Sequence, residues 1–325
     1  MFLTILAYDR PITYVWGMNT WDKRRAEYKE FKKYYYHLSS DGWKEGLLFH
    51  TKEQYAYGMT VMGLVTLKYG IVIYDFSLMP NHFHIILKGN GNQCLDAFDY
   101  LRMKISSRLV KDGYPPLPDG YGFKLTPIDN ESQMRTNILY LDRNAYEKNL
   151  SVPGGHPWGT SYLHFSPLAK YMGGTRANDM KSRKLEELTG TRIPIPPDWI
   201  FHPDLGLLPS CFADQSLFER LFTTPKLYLT RLIKDYESFA KLGRKLEEDV
   251  DLSSEEILDI ANSLVLGMFP GKTLRELAPD DKGKICVALH NTYNLTPLQI
   301  SKALAMPEYL VKQFLYAKDY GRKKR

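Results

Sequence analysis

Apolar residues predominate on both sides of a short polar turn within residues 71–87, which predicts the two strands of a β-hairpin. Residues 71–77 are rich in β-branched and aromatic side chains, which favours a strand. Pro80 and Asn81 follow as turn residues, and residues 82–87 form the predicted returning strand. Because side chains on a strand alternate between its faces, one face would carry His82, His84 and Ile86, and the other Phe83, Ile85 and Leu87.

The pattern on either side of this hairpin predicts the rest of a small α+β domain. The predicted elements are a strand at 33–39, a helix at 51–69 closed by Gly70, a helix at 92–112 closed by Gly113, and a strand at 121–126. The order strand, helix, strand, strand, helix, strand is that of a ferredoxin-like (RRM-like) antiparallel sheet with helices. A further helix at 131–146 falls outside this repeat.

The C-terminal part of the chain has helical periodicity throughout. Thr296 and Pro297 begin one short helix, a tight turn follows at Ala305, and Pro307 begins another helix. This succession resembles a helix-turn-helix, although a helical packing or dimerisation region would show the same pattern. We therefore expect three regions, 1–165 (with a core at about 33–165), 166–250 as a linker with helices, and 251–325 as an all-α domain whose helix-turn-helix binds DNA.

Composition and charge add only broad bounds to this picture. The chain has 325 residues, 44% of them hydrophobic, and a formal net charge of +6, which mildly favours a polyanionic partner. Its three cysteines are scattered and form neither a disulfide framework nor a zinc pattern, which is typical of the reducing cytoplasm. No stretch is long and apolar enough to span a membrane.

Two groups of residues could carry chemistry. His82 and His84 would lie side by side on one strand face, as half of a metal site, although such a pair is more often a solvated strand face. Tyr140 and Asn144 are four residues apart and share one face of the helix at 131–146. A phenol is a candidate nucleophile and an amide oxygen is a candidate metal ligand.

The combination of these groups resembles a known family. Met-Pro-Asn-His-Phe-His at 79–84, followed by an apolar run and later by a helix bearing Tyr140 and Asn144, is similar to the single-tyrosine HUH transposases, and among them to the REP-associated tyrosine transposases. Further similarities lie at Tyr36-His37-Leu38, Leu48-Phe49 and residues 157–162. The chain departs from the family at Ala145, where the family usually has proline.

The resemblance implies the same ferredoxin-like core and an enzyme that cleaves and rejoins single-stranded DNA through a 5′-phosphotyrosine. Tyr140 would be the nucleophile, and His82, His84 and Asn144 would hold one Mg²⁺ or Mn²⁺. The expected partner is single-stranded DNA with a hairpin or duplex flank, and a homodimer is compatible with this interpretation. One alternative is a domesticated regulatory DNA-binding protein that keeps the fold. Another is an unrelated metal-dependent hydrolase, which would leave Tyr140 without a role.

Several basic and polar residues are candidates for DNA contact. They lie on two predicted helices and in the C-terminal tail, and they are Arg102, Lys104, Arg108, Lys312, Gln313, Arg322 and Lys323. The basic run at 23–25 is either a solvated helix face or a phosphate-contacting arm. His156 and His164 fall in a loop-rich segment, and the sequence assigns neither of them to a metal.

Overall fold

The computed structural model describes residues 20–322, other than 44–45, 149, 166–168, 170–171, 235, 247–251 and 294. The predictions for residues 1–19 and for Lys323 lie outside the described residues. Within the described part of the chain, no helix has the length and apolar character needed to cross a membrane.

A four-stranded antiparallel sheet forms the centre of the N-terminal half. Its strands are β1 (Tyr34–Ser40), β2 (Val72–Leu78), β3 (Phe83–Gly89) and β4 (Phe123–Pro127). They are arranged in the order β2-β3-β1-β4, so the strand that follows the Pro80-Asn81 turn lies inside the sheet. A small second sheet consists of β5 (Thr175–Arg176), β6 (Ile200–His202) and β7 (Gly206–Leu207).

Helices account for most of the remaining regular structure. They are α1 (Thr20–Tyr28), α2 (Lys52–Tyr69), α3 (Gly91–Lys111), α4 (Glu131–Glu147), α5 (Ser182–Thr189), α6 (Ser216–Leu221), α7 (Pro225–Lys234), α8 (Tyr236–Leu246), α9 (Ser254–Met268), α10 (Pro279–Tyr293), α11 (Pro297–Leu304) and α12 (Glu308–Arg322). The prediction of a mixed fold with an antiparallel sheet and a helical C-terminal part is confirmed at this level.

Local chemistry explains where several of these helices begin and end. The Thr51 hydroxyl accepts the Gln54 backbone N–H at the start of α2, and Gly70 ends that helix with a φ of +63°. At the start of α4, the Asn130 side chain accepts the Gln133 backbone N–H. These caps provide hydrogen-bond partners for backbone N–H and C=O groups at the helix ends. The predicted bounds of the helices and strands in the N-terminal half therefore agree with the structure to within about two residues.

The two faces of the sheet are covered by different helices. Phe83, Ile85 and Leu87 of β3 are fully buried in the apolar core that the sheet shares with α2 and α3. Ile86 faces the other way and belongs to the core that includes Ile138 of α4. The alternation in the sequence thus directs one set of β3 side chains toward α2 and α3, and the histidine-bearing set toward α4.

The core under α4 continues into the C-terminal helices. Leu232 of α7, Phe239 of α8 and Val311 of α12 all belong to the same cluster of buried apolar side chains as Ile138. Arg143 of α4 is also buried among these helices, where it donates to the backbone carbonyls of Leu232 (2.9 Å) and Ile233 (3.1 Å). The sheet, α4 and the C-terminal helices are therefore continuous in their packing.

Candidate functional site

Strands β1 and β3 place two histidines on the sheet face that α4 covers. In the antiparallel pairing, Ser39 lies opposite His84 and His37 lies opposite Ile86. Residues paired across two strands point to the same side of a sheet, so His37 and His84 are neighbours on this face. Neither residue has any solvent exposure.

A chain of hydrogen bonds joins these histidines to α4. The Asn144 amide nitrogen lies 3.0 Å from Nε2 of His84, Nδ1 of His84 lies 3.1 Å from Nε2 of His37, and Nδ1 of His37 lies 2.7 Å from Oδ1 of Asn137. Since an amide nitrogen can only donate, Nε2 of His84 is the acceptor, and Nδ1–H of each ring donates to the next group. Both rings are neutral in this arrangement.

Burial favours the neutral form of His84 as well. Loss of hydration and the neighbouring His37 ring together lower the pKa of His84 well below its usual value. A neutral imidazole is the form that binds a metal ion. His84 is therefore held in the protonation state that metal binding requires at neutral pH.

The structure brings the four sequence-predicted site residues together. The ring centroids of His82 and His84 are 4.8 Å apart, and the ring of Tyr140 lies 6.0 Å from that of His84. Oδ1 of Asn81 lies 2.8 Å from Nδ1 of His82, which assigns the lone pair of that ring to Nε2. Tyr140 is only 3% exposed, so little of its surface is accessible to a substrate in this conformation.

His37 belongs to this site but had no assigned role in the sequence analysis. Its ring lies 6.3 Å from the Tyr140 ring and contacts His84 directly. The residue was noted only as part of a short match at 36–38. A single histidine on a predicted strand carries no local pattern, and its relation to His84 depends on the pairing of two strands far apart in sequence. The signal that could have identified it is its inward-facing position on β1.

The basic residues predicted on α3 lie elsewhere. Helix α3 packs on the sheet face opposite to the histidines, in the core formed with α2. Arg108 pairs with Asp112 at 2.7 Å, Arg102 donates to the carbonyl of Asp119 at 3.1 Å, and the Lys104 amine donates to the carbonyl of Gly190. The structure therefore does not bring these three residues to the histidine site, and their role in DNA contact stays a prediction.

The C-terminal candidates lie on α12. Lys312 and Gln313 are exposed, and Lys312 forms an ion pair with Glu308 at 2.7 Å, one helical turn away. Arg322 is the last residue of α12, and Lys323 lies outside the described residues. At the N-terminal end, Arg24 and Arg25 of the basic run pair with Asp41 (3.0 Å) and Asp99 (2.8 Å).

A second polar cluster is buried close to the first. Asp75 of β2, Asp142 of α4 and His164 have side-chain ligand atoms within 4.8 Å of one another, and this group could hold a metal ion. Burial raises the pKa of Asp75 to about 8 and raises that of Asp142 well above its usual value, whereas it lowers the pKa of His164. The sequence had assigned His164 to no metal. The three residues come from segments that are far apart in the sequence, so no local sequence motif predicts this cluster.

Comparisons with known proteins give one weak likeness. No protein-family model matches the chain, and no curated protein matches it either. A solved structure of a REP-associated tyrosine transposase bound to a REP hairpin aligns with 41% of this chain and 81% of its own, at 13% sequence identity and a TM-score of 0.34. A likeness of this size establishes neither the fold nor the family.

Proposed function

We propose that this protein is a metal-dependent enzyme that cleaves and transfers single-stranded DNA through a 5′-phosphotyrosine, as the motif resemblance implies. The observation that carries the proposal is the position of Tyr140 and Asn144, on one face of α4, directly over the buried His84 of β3. The short distances among His82, His84, Tyr140 and Asn144 support it. A nucleophile beside imidazole and amide ligands is suited to attack on a phosphodiester.

The sheet order supports the proposed fold type. With β1 and β2 joined through α2, β3 and β4 joined through α3, and all neighbours antiparallel, the order β2-β3-β1-β4 is that expected of a ferredoxin-like core. In such a core the central strands are rigid, so residues of β1 and β3 hold their positions well. Helix α4 then supplies the nucleophile from outside the repeat.

The donor set fits a divalent ion such as Mg²⁺ or Mn²⁺. His82 and His84 offer imidazole nitrogens, and rotation of the Asn144 amide by half a turn would present its oxygen where its nitrogen now meets His84. When bound, such an ion would neutralise the charge on the phosphate oxygens. His37 and Asn137 keep the His84 ring oriented through their hydrogen bonds.

Tyr140 performs the covalent step in this proposal. Its oxygen forms a bond to phosphorus while the bond from phosphorus to the 3′-oxygen breaks, and the phenolic proton leaves as the 3′-hydroxyl forms. Because a phenol has a pKa near 10, far below that of an alcohol, phenolate is a good leaving group in the reverse step. The 3′-hydroxyl of another strand can therefore displace Tyr140 and restore a phosphodiester without ATP.

Single-stranded DNA is the proposed substrate because Tyr140 is buried against the sheet. A flexible unpaired strand can bend to bring a phosphate to a side chain with so little exposed surface, whereas a stacked duplex keeps its backbone on a rigid cylinder. We propose that a hairpin or duplex flank is recognised by α11 and α12, as a helix-turn-helix would do. The basic side chains of α12 are suited to phosphate contact.

Covalent trapping tests the proposal. The full-length protein is incubated with end-labelled single strands from the flanks of its gene and Mg²⁺ or Mn²⁺, and DNA-linked protein is separated on a denaturing gel. We expect an adduct with the wild type, none with Tyr140→Phe, and an undiminished adduct with Tyr146→Phe, a matched change on the same helix. EDTA should abolish the adduct, and either metal should restore it.

A different outcome would identify which part of the proposal is wrong. An adduct that persists in Tyr140→Phe would require another nucleophile. DNA binding without any adduct in the wild type would favour the regulatory DNA-binding protein. Cleavage without an adduct would favour a hydrolase that activates water.

A further inference from the structure

The buried cluster of Asp75, Asp142 and His164 takes no part in the proposed cleavage chemistry. Strand β2 supplies Asp75, helix α4 supplies Asp142, and the chain after the Pro157-Trp158 segment supplies His164. All three side chains are at most 1% exposed. A buried group of two carboxyls and one imidazole needs a physical reason to be there, because burying unpaired polar groups is unfavourable.

One oxygen atom of each carboxyl group in this cluster lacks a hydrogen-bond partner. Among the described residues, none bonds to Oδ2 of Asp75 or Oδ1 of Asp142, although both atoms are shielded from solvent. No lysine or arginine of the described chain pairs with either carboxylate. Buried polar atoms are almost always satisfied, so several at one place indicate a missing partner.

The distances within the cluster suit a shared cation better than direct contact. Nε2 of His164 lies 3.8 Å from Oδ2 of Asp75 and 3.5 Å from Oδ2 of Asp142. These separations are long for hydrogen bonds between the groups. With metal–ligand bonds of about 2.1 Å, neighbouring ligand atoms of a tetrahedral ion stand about 3.4 Å apart, which is close to the observed spacing.

Outer hydrogen bonds orient the side chains of the cluster. The Thr160 hydroxyl donates to Oδ1 of Asp75, and the Tyr228 hydroxyl donates to Oδ2 of Asp142 at 2.7 Å. The ring of His164 is stacked on Phe218, with centroids 3.5 Å apart and planes within 2°. Metal ligands in proteins are typically fixed by such outer contacts.

We propose that Asp75, Asp142 and His164 form a structural site for a divalent transition-metal ion, separate from the histidine pair. One imidazole and two carboxylates are ligands that Zn²⁺ and Mn²⁺ accept, and the two negative charges balance the ion. A metal ion bound there would link α4 to β2 through Asp142, which lies two positions from both Tyr140 and Asn144 in the sequence. It thereby stabilises the position of the helix that carries the proposed nucleophile.

Metal binding to full-length variants tests this site independently of DNA cleavage. The protein is stripped with EDTA and then loaded with Zn²⁺ or Mn²⁺ alone. Bound metal is measured after desalting, and the melting temperature is measured with and without metal. The variants are His82→Ala/His84→Ala, which removes the histidine pair, and Asp75→Asn, which removes one ligand of the cluster with little change in shape.

We expect the His82→Ala/His84→Ala protein to keep one tightly bound ion per chain and to melt roughly 3 °C or more higher when the metal stands at 100 times its Kd. Asp75→Asn should weaken that binding at least about tenfold. In EDTA it should melt no lower than the wild type, because burial favours the neutral form of the Asp75 carboxyl and the amide has nearly the same shape, and this checks its folding. Loss of metal from the double histidine variant, with wild-type binding in Asp75→Asn, would overturn the proposal.

Discussion

At the residue scale, the histidine site depends on how buried imidazoles share their hydrogen bonds. His84 accepts from Asn144 on one side and donates to His37 on the other, and both contacts require neutral rings. His37 in turn donates to Asn137, whose amide nitrogen donates to the Gln133 carbonyl at 2.7 Å. The orientation of His84 is therefore set by a relay that ends on the backbone of α4.

His37→Ala tests this relay. The change removes the acceptor for Nδ1–H of His84, so we expect the affinity of the histidine site for Mn²⁺ and the rate of covalent adduct formation each to fall roughly 10- to 100-fold. His50→Ala is the matched control, because His50 is exposed and its ring stacks on Tyr114, at a centroid distance of 3.7 Å. Metal titration and single-turnover adduct formation measure the two quantities. Wild-type values for His37→Ala would show that the relay is dispensable.

The sequence predicted those site residues whose relations are local. His82 and His84 are separated by one residue, and Tyr140 and Asn144 by one helical turn, so periodicity alone predicts that each pair shares one face. In the structure His84 lies on β3 and His82 directly precedes that strand. His37 and Asp75 have no such partner nearby in sequence. Their neighbours are fixed by strand pairing, and at Asp75 also by an irregularity in the register between Ile73 and Asp75. These contacts become visible only in the folded chain.

At the element scale, α4 connects several parts of the molecule. Its residues Tyr140 and Asn144 face the histidines, while Asp142 enters the buried Asp75, Asp142 and His164 cluster. Arg143 pairs with Glu147 on the same helix and with Glu256 of α9. The Arg143 guanidinium thus forms ion pairs with two carboxylates. Burial raises the pKa of Glu147 to about 7. The second half of α4 therefore makes buried polar contacts on several of its sides.

Helix ends were predicted well wherever a side chain caps them. The start of α11 lies where the sequence predicts it, and there the Thr296 side chain accepts the Gln299 backbone N–H. The tight turn after α11 was also predicted. It contains a feature that composition does not reveal, because Ala305 ends the helix in the left-handed conformation with a φ of +50°.

Ala305→Gly should stabilise the protein. A Cβ atom in the left-handed region is strained, and glycine removes that strain at a helix end where it is the preferred residue. We expect the free energy of unfolding to rise by roughly 0.5–1 kcal/mol in denaturant titrations. Ala303→Gly lies inside the right-handed part of α11 and should instead lower it by about 1 kcal/mol. Equal effects of both substitutions would contradict the assigned turn.

At the scale of the whole molecule, one apolar core extends further than the sequence suggests. The expected divisions near residues 165 and 250 follow composition, and they stay predictions. However, Ile138, Phe239 and Val311, which fall into the three expected regions, share one buried cluster. Amphipathic periodicity shows that a helix has an apolar face but not which partner covers it. The packing of the C-terminal helices against α4 could therefore not be read from the sequence.

Because of this shared core, surface substitutions are the appropriate test of duplex binding by the C-terminal helices. Lys312 and Tyr309 of α12 are exposed, and Tyr309 retains 73% of its surface. If α12 contacts a duplex or hairpin flank, Lys312→Ala removes one phosphate contact. We expect weaker duplex binding, and a slope of log affinity against log salt that is smaller by about 1.

Lys284→Ala is the matched control for this prediction. Lys284 is an exposed lysine of α10 that pairs with Asp281 at 2.9 Å, much as Lys312 pairs with Glu308. Both variants lose one exposed ion pair, so any shared loss of stability cancels in the comparison. Covalent adduct formation on a short single strand without a flank should be the same in Lys312→Ala, Lys284→Ala and the wild type, because the histidine site lies on the sheet. If Lys312→Ala and Lys284→Ala show the same salt slope for duplex binding, then α12 packs against the protein without reading DNA.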